Sequence, residues 1–293
     1  MPGGTAITET APAKVNLTLR VTGRRPDGYH ELESLVAFAR VGDHLDFVSG
    51  AALALDVAGP FAAAAGNLAD NLVLKAAREL ARRAPGIALG HFSLIKELPV
   101  AAGVGGGSAD AAAALRLLAG ANRLAPDDAR LLAAAGATGA DVPVCLDAKA
   151  RVMRGIGEVL SAPLSLPPLP AVLVNPGVPL ATKDVFAAFA RMGPRKAAAT
   201  FDTTALGGVS VETALAALTA GTNDLEPAAI ALCPTVADAL AALAATSGCR
   251  LARMSGSGAT CLGLYLSEDA AVTAARAIAG AHPDWWVRAT VLA

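Results

Sequence analysis

Residues Pro99 to Ala114 read PVAAGVGGGSADAAAA, and the reading of the whole chain turns on this stretch. An alternating segment, His91 to Lys96, leads into it, and an alanine- and leucine-rich run, Ser108 to Leu118, leads out. A strand that passes through glycines into a helix brings backbone N–H groups close to an anion. The helix start adds unsatisfied donors and a partial positive charge. Ser108 can cap that helix, or reach a phosphate oxygen or a bound Mg²⁺. Asp110 suits the dipole of the first turn. Two better-known loops are excluded by spelling: no G-K-[ST] is present, and the sixth position of a G-x-G-x-x-G starting at Gly103 is Ser108. Taken alone, the stretch marks an anion site and leaves a purely structural glycine turn open.

On either side the patterning is mixed rather than a clean βαβ alternation. Ala13 to Thr22 alternates as a strand, Arg24 to Gly28 is a turn signal, and Glu33 to Ala39 and His44 to Val48 read as two further strands. Asn71 to Arg83 carries helical spacing with Pro85-Gly86 as its stop, and a second helix after the loop is predicted from Pro126 to Ala135. Pro163 to Pro170, PLSLPPLP, holds four prolines, which neither a helix interior nor a central strand accommodates. A domain boundary is therefore placed there, dividing 1–165 from 166–293. A strand from Ala171 to Asn175, several alanine-rich helices and a strand-turn-helix region around Ser255 to Gly258 follow.

Composition narrows the function classes. Of 293 residues 54% are hydrophobic, and mean hydropathy is +0.49. Much of this is alanine, a helix former that is only weakly apolar. No window reaches the ~18 to 20 unbroken apolar residues of a spanning helix; the richest, Ala228 to Cys249, is interrupted by Pro234 and Asp238. The chain reads as soluble, and with no signal-like n-region and h-region at its start the expected location is cytoplasmic. A net charge of -1 without a long Lys/Arg run, and 4% aromatics, argue against a nucleic-acid partner. Cys145, Cys233, Cys249 and Cys261 form no C-x-x-C pair, and they read as buried thiols acting as small hydrophobes.

Two short segments carry further chemistry. In Ala11 to Leu19, APAKVNLTL, Lys14 and Asn16 fall two residues apart in a strand, so both side chains share one face. In Gly139 to Pro143, GADVP, Asp141 is either a helix cap or a general base.

Together with the glycine loop, PAKVNL and the late Ser255-Gly-Ser-Gly-Ala259 resemble the three motifs of the GHMP kinases (galacto-, homoserine, mevalonate and phosphomevalonate kinases). The motifs occur in the family order and span almost the whole chain. The resemblance implies a two-domain α+β fold. Its N-terminal α/β domain is related to a ribosomal-protein fold, its C-terminal domain is ferredoxin-like, and the active site lies between them. GRRPDGYHELESL (Gly23 to Leu35), DNLVLKAA (Asp70 to Ala77), GADVP and NDLEP (Asn223 to Pro227) resemble one branch. That branch moves the ATP γ-phosphate onto the tertiary 2-hydroxyl of a cytidine-diphosphate-linked methylerythritol, in the non-mevalonate isoprenoid route.

The resemblance also implies roles. Asp141 would take the hydroxyl proton, with Lys14 beside it stabilising developing charge; a tertiary hydroxyl is a poor acid, so concerted transfer with late proton loss fits best. ATP would lie against Pro99, Ala101, Ala102, Gly103, Val104, Gly105, Gly106, Gly107, Ser108 and Ala109, with Asn71 and Lys96 lining the adenine pocket. Tyr29 and His30 would recognise cytosine, Phe186 would complete the sandwich around the base, and Asn16 and Thr182 would meet polar groups of the acceptor. Ser255, Gly256, Ser257 and Gly258 would close over the site, with Asn223 and Glu226 as scaffold. ATP and Mg²⁺ are the expected cofactors. No metal ligand is assigned, although Ala109 replaces a second serine common in the family and leaves Ser108 the hydroxyl nearest phosphate or metal. Another GHMP kinase, of homoserine or phosphomevalonate type, and a non-catalytic nucleotide binder of the same fold are the alternatives.

Overall fold

The computed structural model describes residues 6–193 and 201–293. In chain order the elements begin with β1 (Ile7–Asn16), β2 (Arg20–Arg24), β3 (His30–Gly50), β4 (Ala54–Ala58), α1 (Leu72–Arg83) and β5 (Leu89–Ile95). There follow α2 (Gly106–Ala121), α3 (Ala129–Thr138), α4 (Val142–Cys145), β6 (Arg151–Gly155), β7 (Val159–Leu160) and β8 (Leu169–Asn175). The chain ends with α5 (Thr182–Arg191), α6 (Val211–Leu218), α7 (Glu226–Leu232), α8 (Thr235–Ala244), β9 (Leu251–Met254), β10 (Cys261–Leu264), α9 (Glu268–Ala281) and β11 (Trp286–Leu292). The residues group into two compact units. The first holds the described residues up to Ala13, Gly42–Val100 and Gly105–Ala148; the second holds Lys14–Val41, Ala101–Val104 and the described part of Lys149–Ala293.

In the first unit, the end of β3 pairs antiparallel with β5, and β4 pairs parallel with β5. Helix α1 begins where Asn71 accepts a hydrogen bond from the Val73 amide at 2.9 Å, and it turns Val73, Leu74, Ala76, Ala77 and Leu80 inward. Helix α2 is buried on nearly every side, and its run of alanines lets α1, α3 and α4 pack close around it. The expected break between Ala39 and His44 does not occur: β3 runs unbroken for 21 residues. Gly42 explains this, because a Cβ there would lie 2.8 Å from Ala11 C and Pro12 Cα of the neighbouring strand β1. That glycine marks a close strand approach.

In the second unit, β11, β8, β10 and β9 form an antiparallel sheet in that spatial order. Numbered along the chain, the order is 4-1-3-2, with helices after the first and third strands. This is the split βαββαβ arrangement expected of a ferredoxin-like unit. Val172, Val174, Leu225, Val236, Leu243, Tyr265 and Ile278 form its core between sheet and helices. The start of β3 adds β2 and β6 as antiparallel neighbours and meets β11 at Ala39–Leu292.

Three sequence expectations change here. Ala13 to Thr22 is not one strand: at Leu17–Leu19 the chain leaves the ladder, with the Leu19 amide donating to Thr222 O at 2.8 Å. Pro170 does stand in a central strand, β8. It is tolerated because it is second from the start, where its missing N–H costs little and its carbonyl still accepts from the Tyr265 amide at 2.9 Å. The stretch Pro163–Pro170 falls within the second unit. Helix α3 starts later than expected, at Ala129, because Asp128 captures the Arg130 amide at 2.8 Å as its cap.

Candidate active site

Helix α2 is entered through Gly105, which sits in the left-handed region at φ +60°. Its first intrahelical bond is Ala109 N to Gly105 O at 2.9 Å, so the amides of Gly106, Gly107 and Ser108 precede the ladder. Ser108 is therefore the third helical residue and not the cap, and its half-buried hydroxyl is not spent on capping. Ala109 is enclosed. Asp110 is past the first turn and buried, so it does not answer the dipole from solvent as its position in sequence suggests.

The middle of the glycine loop is held within the second unit. The Lys14 amide donates to Val104 O at 2.9 Å, Ser255 Oγ donates to Gly103 O at 2.9 Å, and the Thr260 amide donates to Ala102 O at 3.1 Å. Gly103 has φ +76°, and a Cβ on it would press into the Ser255 carbonyl oxygen and lie 2.9 Å from Gly258 N and O. Only glycine allows that approach. The turn Ser255–Gly258 thus lies directly against Gly103 of the glycine loop. Asn223 supports the turn from behind, donating to the carbonyls of Met254 and Gly256 at 2.8 Å each, while Glu226 accepts from the Met254 amide at 2.8 Å. Both act as scaffold in these contacts.

Lys14 and Asn16 are both buried on β1, and Lys14 is only 5% exposed. Asn16 donates through Nδ2 to Ser34 Oγ at 2.7 Å, and its amide donates to Ser255 Oγ at 3.0 Å. Its Oδ1 is buried with no hydrogen-bond partner among the described residues and faces Gly256, whose Cβ would lie 3.2 Å away. An orphaned acceptor of this kind is costly unless a donor from elsewhere reaches it. Asp141 belongs to the first unit, where it is half-buried at the N-cap position of α4 and makes no capping hydrogen bond to that turn.

A cavity of about 460 Å³ in the second unit is lined by Arg24, Tyr29, His30, Leu32, Thr182 and Phe186, among others. His30 and Phe186 stack, with ring centroids 5.0 Å apart and planes inclined by 21°. The ring facing Phe186 is thus His30, while Tyr29 lines the same cavity and is 61% exposed. Burial, and secondarily the charge of Arg24, lowers the His30 pKa and favours the neutral imidazole, which both donates and accepts. Thr182 Oγ1 and Ser257 Oγ are hydrogen-bonded at 2.9 Å.

Asn71 and Lys96, the two residues expected in the adenine pocket, both stand in the first unit and make contacts within it. Asn71 uses its side-chain oxygen to cap α1. Lys96 turns its ammonium inward to Asp43 and Asp110. No sequence expectation names Asp43, Ser34 or Arg253; the last is buried and donates to the carbonyls of Leu17, Leu218 and Gly221. The signal present was a charged residue inside an apolar strand, in VGDHL and LARM, whose partners sequence does not name. Among the described residues no group of three or more His, Cys, Asp or Glu is arranged to hold a metal ion.

The chain matches the family model for the GHMP kinases N terminal domain over residues 71–149, and that for GHMP kinases C terminal over 210–284. It is 58% identical to a protein of Rhodopseudomonas palustris named 4-diphosphocytidyl-2-C-methyl-D-erythritol kinase, covering 99% of both chains. This chain belongs to the GHMP kinases. A Methylorubrum extorquens protein of the same name is 56% identical over 98% of this kinase and 99% of its own length. Among solved structures, a 4-(cytidine 5'-diphospho)-2C-methyl-D-erythritol kinase superposes with a TM-score of 0.76 at 34% identity, covering 98% and 99% of the two chains. Homoserine kinase from Cytophaga hutchinsonii, at 18% identity and a TM-score of 0.73, covering 99% and 96%, shares the fold. No helix among the described residues of this GHMP kinase is long and apolar enough to cross a membrane.

Proposed function

We propose that this GHMP kinase is a 4-diphosphocytidyl-2-C-methyl-D-erythritol kinase, moving the ATP γ-phosphate onto the tertiary 2-hydroxyl of its acceptor in the non-mevalonate isoprenoid route. The observation that carries the reading is the cavity lined by Tyr29, His30 and Phe186. Two aromatic rings and a neutral imidazole suit a flat base with hydrogen-bonding edges, whereas homoserine or phosphomevalonate offers no ring to grip.

Each residue has a role in that reaction. The backbone of Pro99 and Ala101–Ala109 receives the phosphates, with the amides at the start of α2 directed at their charge. Asn71 and Lys96 belong to the nucleotide side of the site, Lys96 by supporting the loop. Asp141 accepts the hydroxyl proton late in transfer, and Lys14 stabilises charge building on the alkoxide and phosphoryl oxygens. Asn16, with its unpaired Oδ1, and Thr182 take polar groups of the acceptor, and the turn Ser255–Gly258 closes over the phosphate loop. Ser108, the hydroxyl at the start of α2, is the residue that would help hold a Mg²⁺ ion, which would neutralise phosphate charge when bound. The division at 1–165 and 166–293 is supported by the two family-model matches, which fall on either side of it. A cytoplasmic location is supported by cysteines that are thiols rather than disulfides.

The test mixes the purified chain with Mg-ATP and the cytidine-diphosphate methylerythritol acceptor and follows ADP, with homoserine and mevalonate as controls. ADP release with the cytidine compound alone is the expected result; release with a control alone overturns the reading. In the same assay Asp141→Asn is expected to lose about 100-fold or more in kcat with ATP binding intact. Near-native turnover would remove the base role.

A further inference from the structure

Asp43, Lys96 and Asp110 are buried together in the first unit, with Asp43 wholly inaccessible and the other two each 3% exposed. Lys96 Nζ donates to Asp43 Oδ2 and, at 2.8 Å, to Asp110 Oδ2. Asp43 Oδ1 accepts from the amides of Glu97 and Leu98 at 2.6 and 2.8 Å. Leu98 immediately precedes the phosphate loop, and Asp110 stands on α2 immediately after it. The ammonium also lies beneath the helix start, where a Cβ on Gly106 would come within 3.2 Å of Nζ.

We infer that Asp43, Lys96 and Asp110 clamp the two stems of the phosphate loop, so that Lys96 governs nucleotide binding by positioning the loop rather than by touching the nucleotide. The inference rests on the reading of Pro99–Ala109 as the nucleotide-phosphate loop. A segment this rich in glycine has a large conformational freedom to lose, and its amides bind phosphate well only if they are aimed beforehand. Asp43 fixes the incoming stem through two backbone amides, and Lys96 carries the tie across to the outgoing helix. The pair of carboxylates outnumbers the single ammonium in a dry site. Burial, and then the charge of Asp43, accordingly push the Asp110 acid up to about 8, against the pull of Lys96. Asp110 Oδ1 has no hydrogen-bond partner among the described residues, and burial of that orphan oxygen costs less on a neutral acid than on a carboxylate.

Asp110 is the member to change, because its removal leaves Lys96 and Asp43 as a balanced pair. With the full chain, Mg-ADP affinity is measured by calorimetry, alongside KM for ATP and for the acceptor and the melting temperature. Asp110→Ala is expected to weaken Mg-ADP binding and raise the ATP KM by about tenfold or more, with the acceptor KM within about twofold. Asp110→Asn, whose amide oxygen still accepts from Lys96, is expected to stay within about threefold of wild type. Mg-ADP affinity unchanged in Asp110→Ala, or an equal rise in both KM values, overturns the clamp. Should Asp110→Ala fail to fold, Gly106→Ala reads the same contact from the loop side: a raised ATP KM supports the clamp and an unchanged one overturns it. If wild type itself binds no Mg-ADP, the loop reading fails and takes the clamp with it.

Discussion

Replacing Gly103 by alanine tests whether the glycine loop needs glycine for its conformation or for its neighbour. At φ +76° an L side chain costs about 1–2 kcal/mol in any surroundings. The new methyl would also press on the Ser255 carbonyl and lie 2.9 Å from Gly258 N and O, where ordinary contact begins at 3.4 Å. The two backbones must therefore part by roughly half an ångström at Gly258, and by more at Ser255. No rotamer relieves a clash between main chains, so a further penalty of about 1–3 kcal/mol is expected. Gly86 supplies the control: it has φ +88° with nothing within 4 Å of its Cβ, so Gly86→Ala carries the conformational cost alone. By thermal unfolding, Gly103→Ala should melt roughly 3–10 °C below Gly86→Ala. With the loop as the phosphate site proposed above, its kcat/KM for ATP should fall about 10- to 100-fold as the loop amides shift, while Gly86→Ala keeps wild-type kinetics. Equal melting temperatures, or native ATP kinetics in Gly103→Ala, would refute the close-approach argument.

Two other outcomes follow from the site. Asp110 keeps its proton in the folded state up to about pH 8, whereas the unfolded chain releases it near the ordinary value of 3.8. Raising pH between these values therefore favours unfolding, by up to about 1.4 kcal/mol per pH unit. Urea titrations at about pH 5.5 and about pH 7.5 should show wild type losing about 2–3 kcal/mol more than Asp110→Asn over that interval; parallel losses would contradict a protonated Asp110. Phe186→Ala removes the ring stacked on His30 and should raise the acceptor KM about 5- to 150-fold with little change for ATP, the range expected of one base stack. Steady-state kinetics that show both KM values moving together would place the ring outside the base site.

Much of the local architecture was legible in the sequence. The helix from about Asn71 to Arg83, Pro85-Gly86 stopping it and the glycines opening α2 all follow from backbone preferences that act over a few residues. Sequence and structure part where local and long-range demands conflict. Ser108 has the chemistry of a cap, yet Gly105 takes the left-handed entry and moves the helix start two residues upstream. Pro170 belongs in a loop by propensity, yet it is accepted at the start of β8 because strands on both sides bury that segment. Glu33 to Ala39 and His44 to Val48 read as two strands and are one, with Gly42 at a point where β1 passes too close for a side chain.

The sequence by itself determined that this chain carries a glycine loop at a helix start, a two-domain α+β organisation and the motif order of the GHMP kinases. Those features reside in contiguous residues whose chemistry is legible without their neighbours. Only the tertiary structure decided that Lys96 faces Asp43 and Asp110, that His30 lies on Phe186, and that the Ser255–Gly258 turn rests on Gly103. Each of these pairings joins residues far enough apart that no local preference selects the partner. The physical reason is burial: a charge or ring removed from water must be matched by whatever the fold encloses with it, and the match is defined only once the chain has closed around it.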